Sequence, residues 1–213
     1  MGVSEEEYVI SLSKDELAKM PTMVYEGEIR VVDHAENIAE ALEYLRREPL
    51  VGFDTETKPS FKKGQTHNVA LMQVSGGQRC YLFRINRIGL TDELLEWLGD
   101  ENCQKVGLSL KDDFHGLHKI KEFEPRGFVE LQSLVKEYHI ADSSLQKIYG
   151  IVFGQRISKG QRLSNWEADE LGSGQQAYAA LDAKACLDIY KSLKDGSFRP
   201  EESKYRITEQ PEG

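Results

Sequence analysis

One stretch of the chain, Leu50 to Glu56, restricts the fold more than any other, because an apolar run ends there in two carboxylates. Such a run favours a buried strand, and successive side chains of a strand point to opposite faces of its sheet. Asp54 and Glu56 therefore project from the same face and share one small region. Gly52 lies on that face too, and we expect its missing side chain to leave open space beneath the acids.

Two carboxylates held side by side repel each other unless they share a proton or a cation neutralises them. Carboxylate oxygens are ligands that suit Mg²⁺ or Mn²⁺. Many strands, however, end in acids that simply meet solvent. The metal interpretation therefore depends on further acids elsewhere in the chain.

The composition is that of a soluble protein with one large core, since 39% of the 213 residues are hydrophobic and 30% are charged. The net charge of -9 argues against a general nucleic-acid coat, which is normally basic. It does not exclude a metal-dependent nuclease, because such a site must itself be acidic and its cations reverse the local sign.

The three cysteines, Cys80, Cys103 and Cys186, show no paired spacing and are predicted to be free intracellular thiols. No apolar stretch reaches the length of a membrane span, and the acidic N-terminus lacks the plan of a signal peptide. We therefore expect a cytoplasmic protein, or a nuclear one if the source is eukaryotic.

A predicted hairpin followed by alternating strands and helices indicates an α/β fold with a mixed sheet. We expect residues 1–49 to form a strand and helix flank packed on the same domain, 50–195 to form the functional domain, and 196–213 to be a polar, loose tail. The predicted strands of the sheet cover residues 50–56, 68–75, 79–83, 104–108 and 127–131.

The helix that follows the fourth of these strands carries an acid on its apolar side. Asp113 shares a helical stripe with Leu110 and Leu117, which turns its carboxylate toward the sheet. An ionised group that faces a core is costly unless it is paired or bound to a metal, so Asp113 is a candidate functional residue. Asp112 instead fits a capping box with Ser109 at the helix start.

The last strong helix, predicted for about 175–193, carries a second such acid together with a phenol. Tyr178 and Asp182 are four residues apart and lie on adjacent turns of one face, so both side chains reach the same place. An intrahelical pair or a solvated acid is the alternative interpretation of this spacing.

Taken together, these motifs resemble the three exonuclease motifs of the DEDDy 3′–5′ exonuclease superfamily. Phe53-Asp54-Thr55-Glu56, with the following strand 69–75, is similar to the Werner-type exonuclease domain. Leu163-Ser164-Asn165-Trp166, before the helical segment 176–183, is similar to the ribonuclease D pattern. The resemblance covers about residues 50–193, in the order of the family.

The resemblance implies a ribonuclease H-like fold, with a five-stranded mixed sheet and helices on both faces. It also implies two divalent ions, Mg²⁺ or Mn²⁺, bridged by Asp54. Glu56 and Asp182 complete the shell of one ion, Asp113 holds the other largely through water, and Tyr178 orients the attacking water. Cleavage would start at a 3′ end and release nucleoside 5′-monophosphates.

Further residues beside these motifs are predicted to contact the substrate, mainly through phosphates. The alternative for His115 is a partly exposed histidine on its helix, and the alternative for Trp166 is a tryptophan that anchors its loop. Glu130 stands where many relatives carry another acid, and we do not assign it to the site. The predicted substrate contacts are Thr55, Lys58, Lys62, Lys63, His115, Arg156, Lys159, Arg162 and Trp166.

The sequence thus favours a two-metal 3′–5′ exonuclease acting on single-stranded or 3′-ended nucleic acid, with DNA preferred. An exoribonuclease of the ribonuclease D type is the close alternative, and a catalytically silent nucleic-acid-binding module is the rival from another class. A ribonuclease H-type endonuclease is disfavoured, because its acids are spaced differently. With no room for a separate binding domain in 213 residues, we expect targeting to depend on a protein partner or on oligomerisation.

Overall fold

Six strands form one mixed sheet with helices on both faces in the computed structural model, which describes residues 7–208. The strands of the chain are β1 (Tyr8–Ile10), β2 (Glu28–Val32), β3 (Leu50–Thr57), β4 (Val69–Gly76), β5 (Arg79–Phe83), β6 (Gln104–Gly107), β7 (Phe128–Glu130) and β8 (Arg206–Thr208). The α-helices are α1 (Lys14–Lys19), α2 (Ile38–Leu45), α3 (Ile85–Ile88), α4 (Asp92–Leu98), α5 (Leu110–His118), α6 (Leu131–Leu134), α7 (Leu145–Phe153) and α8 (Ser173–Lys194). Short 3₁₀ helices cover Ala35–Asn37, Val135–Tyr138 and Pro200–Glu202.

The sheet has the strand order β2-β5-β4-β3-β6-β7. Strand β4 runs antiparallel to both of its neighbours, as the predicted hairpin with β5 requires, and the other pairs are parallel. Gly77 forms the hairpin turn with a backbone φ of 57°, a conformation that glycine adopts without strain. The hairpin and the mixed α/β sheet are therefore confirmed.

The expected count of five strands is wrong, because β2 adds a sixth strand at the edge beside β5. Its residues pair in parallel register from Glu28 with Arg79 to Val32 with Phe83. The sequence indicated strand propensity here but placed the segment on an outer flank. A parallel pair joined through the intervening elements leaves no local signal of its partner.

Helix α8 packs across the sheet from β2 to β6 and covers one face. The other face carries a core that includes Phe53, Val74 and Trp97, against which α2 and α4 pack. Helices thus lie on both faces, as expected for this fold. Within residues 7–208, the longest apolar segments of the helices fall short of what a membrane crossing requires.

The expectation of a loose tail is wrong for residues 196–208. The Phe198 and Tyr205 side chains are buried in the cluster that contains Ile151 and Leu193, and β8 pairs antiparallel with β1. Two aromatic residues in a polar stretch are enough to hold it against the domain, because each buries a large apolar area. Residues 209–213 lie outside the described part, and the division of the chain into domains stays a prediction.

Candidate active site

The site is built around a contact between the backbone of α8 and strand β3. A Cβ atom added at Gly52 would lie 1.8 Å from the carbonyl oxygen of Ala183, so only glycine fits beneath the helix. The expected open space at Gly52 is therefore wrong, because the helix occupies it. This close approach brings Asp182, the neighbour of Ala183, to the face that carries Asp54 and Glu56.

Three carboxylates converge at this point. Asp54, Glu56 and Asp182 each offer an oxygen atom, and these oxygens lie within 4.8 Å of one another. Asp182 is buried, whereas Asp54 and Glu56 are partly exposed at the mouth of the site. The arrangement is open to a substrate on one side and enclosed by α8 on the other.

Burial raises the pKa of every acid in this cluster, and repulsion from neighbouring acids raises the pKa values of Asp54 and Glu56 further. Burial is the main cause and lifts the pKa of Glu56 to about 9 and that of Asp182 to about 7. The pKa of Asp54 rises well above its ordinary value, first through burial and then through the charges of Asp113 and Glu56. The Oδ1 atom of Asp182 is buried, and no residue of the range 7–208 forms a hydrogen bond with it. The rest of the described protein therefore supplies too little positive charge to neutralise these acids.

Asp113 lies beside this cluster without belonging to the set of three. It is buried on the inner stripe of α5 with Leu110 and Leu117, as the spacing predicted. The Thr55 hydroxyl donates a hydrogen bond of 2.5 Å to Asp113 Oδ1. Burial raises the pKa of Asp113 to about 7, although this bond to Thr55 partly lowers it. Thr55, predicted to contact substrate, therefore holds an acid of the site.

The expected capping box of Ser109 and Asp112 is wrong, and Glu130 caps α5 instead. Ser109 has a backbone φ of 62° and makes no side-chain capping bond. Glu130 accepts hydrogen bonds from the backbone N–H groups of Ser109 (2.9 Å), Leu110 (2.8 Å) and Gln132 (3.0 Å). Glu130 lies on strand β7, which pairs in parallel with β6, and its register partner there is Gly107. This pairing places the Glu130 carboxylate at the start of α5. Sequence reasoning missed this role because the capped residues Ser109 and Leu110 lie 21 and 20 residues before Glu130 in the chain.

Tyr178 stands one turn before Asp182 on α8, and its side chain is buried. Burial and the charges of Asp182 and Glu56 raise the pKa of its hydroxyl far above the ordinary value. The phenol therefore stays protonated and can donate a hydrogen bond. Its ring packs on Trp166, with 6.0 Å between ring centroids.

Trp166 is fully buried beneath α8, which agrees with the alternative that it anchors its loop and not with a substrate contact. It packs against Leu71, Leu82 and Tyr178 and anchors the segment that precedes α8. The indole ring has a large apolar area, so burying it stabilises the fold more than leaving it exposed to solvent. Arg84, which the sequence analysis did not single out, binds the same segment through the backbone carbonyls of Ala168 and Asp169.

The basic residues that were predicted to contact substrate differ in their exposure and in their partners. Arg162 is exposed, and its charge lowers the pKa of Glu56, which places it at the mouth of the site. Lys58 lies 3.3 Å from Glu167, whose other oxygen lies 3.0 Å from His67 Nδ1. Arg156 Nε donates to the carbonyl of Met20 over 3.1 Å. Four further predicted contacts are exposed, namely Lys62, Lys63, His115 and Lys159.

This fold and these acids define an α/β domain of the ribonuclease H-like class with a carboxylate-rich site. The chain matches the model of a family described as 3′–5′ exonuclease over residues 29–196, and it belongs to that family. The four acids of the site all lie within the matched range.

The chain is similar to the bifunctional 3′–5′ exonuclease/ATP-dependent helicase WRN of Mus musculus, with 33% identity over 150 residues. That match covers 68% of this chain and 11% of the mouse protein, so the chain spans about a tenth of that relative. A 3′–5′ exonuclease of Arabidopsis thaliana is 29% identical over 209 residues, covering 86% of this chain and 69% of the plant protein. Among solved structures, Escherichia coli RNase D, described as an exoribonuclease involved in structured RNA processing, superposes with a TM-score of 0.70. The match covers 79% of this chain and 44% of that chain at 21% identity, which shows the shared fold.

Replacing Gly52 with Ala tests the contact between β3 and α8. The added methyl would clash with the Ala183 carbonyl, so α8 must move. We expect the free energy of unfolding to fall by about 1–3 kcal/mol or more, as for other overpacked sites, with weaker Mn²⁺ binding. Denaturant unfolding and calorimetry measure both quantities. Gly160→Ala, in an open loop, is the control, and equal behaviour of the two variants would contradict the account.

Replacing Glu130 with Ala removes the cap of α5. Three backbone N–H groups lose their acceptor, and we expect the free energy of unfolding to fall by about 1–3 kcal/mol. Glu137→Ala, at an exposed position, provides a matched control that should change little. If urea unfolding gives the same free energy for both variants, Glu130 does not hold the helix.

Repulsion among the acids predicts the pH dependence of metal-free stability. The folded-state pKa values of Asp182, Asp113 and Glu56 lie at about 7, 7 and 9, above the unfolded value of about 4. Because the unfolded state releases these protons first, stability falls as pH rises from about 4 to 9. We expect Asp54→Asn to flatten this fall in melting temperature measured with a chelator. The exposed Asp169→Asn control should retain the slope of the unaltered protein, and an unaltered slope in Asp54→Asn would contradict the account.

Proposed function

We propose that this chain is a metal-dependent 3′–5′ exonuclease that hydrolyses phosphodiester bonds from the 3′ end of a nucleic acid and releases nucleoside 5′-monophosphates. The observation that carries the proposal is the convergence of Asp54, Glu56 and Asp182 within 4.8 Å, with Asp113 and Tyr178 beside them. Membership in the 3′–5′ exonuclease family supports the direction of cleavage.

The acids fit divalent cations by their chemistry. Their ligand atoms are all carboxylate oxygens, and one oxygen of Asp182 has no hydrogen-bond partner in the described part of the chain. Burial leaves the group short of positive charge. Asp54, Glu56 and Asp182 would hold one ion, and Asp113 would hold a second together with Asp54. When bound, two Mg²⁺ or Mn²⁺ ions supply a nucleophile at neutral pH and charge relief on the departing 3′ oxygen.

The side chains around the acids have roles that follow from their protonation and position. Tyr178 keeps its proton, so it can orient the attacking water by donating a hydrogen bond but cannot act as a base. Thr55 fixes the Asp113 carboxyl, and Glu130 fixes the start of the helix that carries it. Arg162, exposed beside Glu56, can contact a phosphate of the incoming strand.

DNA is the substrate that we propose, because the motif around Asp54 and the strand 69–75 resemble the Werner-type exonuclease domain and the mouse relative is 33% identical. RNA is the second candidate, because the segment 163–166 resembles ribonuclease D and the chain shares the fold of that exoribonuclease. Recruitment to a 3′ end would depend on a protein partner or on oligomerisation, in the cytoplasm or nucleus.

A labelled-strand assay tests the proposal. DNA and RNA strands carrying a 5′ label are incubated with the protein and Mg²⁺ or Mn²⁺. We expect a ladder that shortens from the 3′ end, that a chelator stops, and that is faster on DNA. Asp54→Asn and Asp182→Asn should each abolish it while remaining folded, and Asp169→Asn should retain it.

Other outcomes point to specific rivals. A faster ladder on RNA would replace DNA as the substrate and leave the chemistry intact. An internal cut would indicate an endonuclease, and retention of the strand without hydrolysis would indicate a binding module. Either of these last two results would contradict the proposed exonuclease activity.

A further inference from the structure

Gln73 is a buried polar residue whose side chain has no hydrogen-bond partner among residues 7–208. It lies in the middle of β4, is 0% exposed, and both its Nε2 and its Oε1 atom are unpaired within that range. Buried amides are almost always hydrogen-bonded in folded proteins. A buried amide left unpaired therefore lowers the stability of the fold.

The surroundings of Gln73 would accept an apolar side chain. Its neighbours on this face of β4 and β5 include Leu71 and Leu82, and the face is covered by Ala179 and Ala180 of α8. A leucine or methionine at position 73 would avoid the cost of an unpaired amide. The presence of glutamine therefore indicates a hydrogen-bond partner that forms in another state of the site.

The pairing of the strands shows which partner is near. Gln73 is the direct cross-strand neighbour of Asp54 in the antiparallel pair of β4 and β3. Side chains of such neighbours point to the same face, with their Cβ atoms about 4.5–5.5 Å apart. The side chains of Gln73 and Asp54 therefore project from adjacent positions on the face that α8 covers, within reach of each other.

We propose that Gln73 is a positioning residue for Asp54. When the acids hold divalent cations, Nε2 of Gln73 donates a hydrogen bond to an oxygen of the Asp54 carboxylate. This bond holds the carboxylate in the orientation that cation binding requires, and a charged acceptor makes it stronger than a neutral bond. The inference rests on the proposed function, because it requires the acids to bind divalent cations.

Gln73→Met provides the test, because methionine has a similar length and volume but cannot donate a hydrogen bond. Calorimetry with MnCl₂ measures cation affinity, and thermal unfolding with a chelator measures metal-free stability. We expect Mn²⁺ affinity to fall about tenfold, the value for one charge-assisted hydrogen bond. The metal-free melting temperature should stay the same or rise, and kcat on a labelled strand should fall with KM unchanged.

A purely structural role for Gln73 gives the opposite result. In that case Gln73→Met lowers the metal-free melting temperature and leaves Mn²⁺ affinity unaltered, which would overturn the proposal. Gln73→Leu is the second variant, and failure of both variants to fold without metal would overturn it as well. Gln104→Met, at an exposed strand position, is the matched control.

The same titration separates this inference from the proposed function. If the unaltered protein binds Mn²⁺ and Gln73→Met binds it equally well, the role of Gln73 is wrong while the metal site stands. If the unaltered protein binds no Mn²⁺ at its acids, the proposed function itself fails.

Discussion

The contact between Gly52 and Ala183 determines the rest of the site. Carboxylates that lie far apart in the sequence meet because the backbone of α8 rests directly on β3, where any side chain at Gly52 would collide with a carbonyl oxygen. Small residues on the same helix, Ala179 and Ala180, are fully buried and allow it to stay close to the sheet. A bulkier contact would separate Asp182 from Asp54, and the cluster would not form.

This close packing has an electrostatic consequence. Removing several acids from water and placing them side by side raises their pKa values and destabilises the metal-free fold at neutral pH. The domain tolerates this loss of stability because helices cover both faces of its sheet. The same crowding of acids makes the site selective for a ligand that brings concentrated positive charge. Divalent cations would fulfil that requirement, and under the proposed function their binding would link stability to activity.

Local periodicity accounts for the part of the site that the sequence revealed. Alternation along a strand placed Asp54 and Glu56 on one face, a helical stripe turned Asp113 inward, and spacing of four put Tyr178 beside Asp182. The missed features are contacts between distant segments. No local sequence pattern indicates the cap from Glu130, the parallel pairing of β2 or the helix that fills the space at Gly52. The register that sets Gln73 beside Asp54 is likewise visible only in the folded sheet.

A crystal soaked in MnCl₂ and measured at the manganese absorption edge tests the central claim most directly, because the anomalous signal locates bound cations without reference to activity. The account predicts two peaks among the oxygens of Asp54, Glu56, Asp182 and Asp113, about 3.5–4 Å apart. No peak at these carboxylates at saturating MnCl₂, or peaks confined to other parts of the surface, would contradict it.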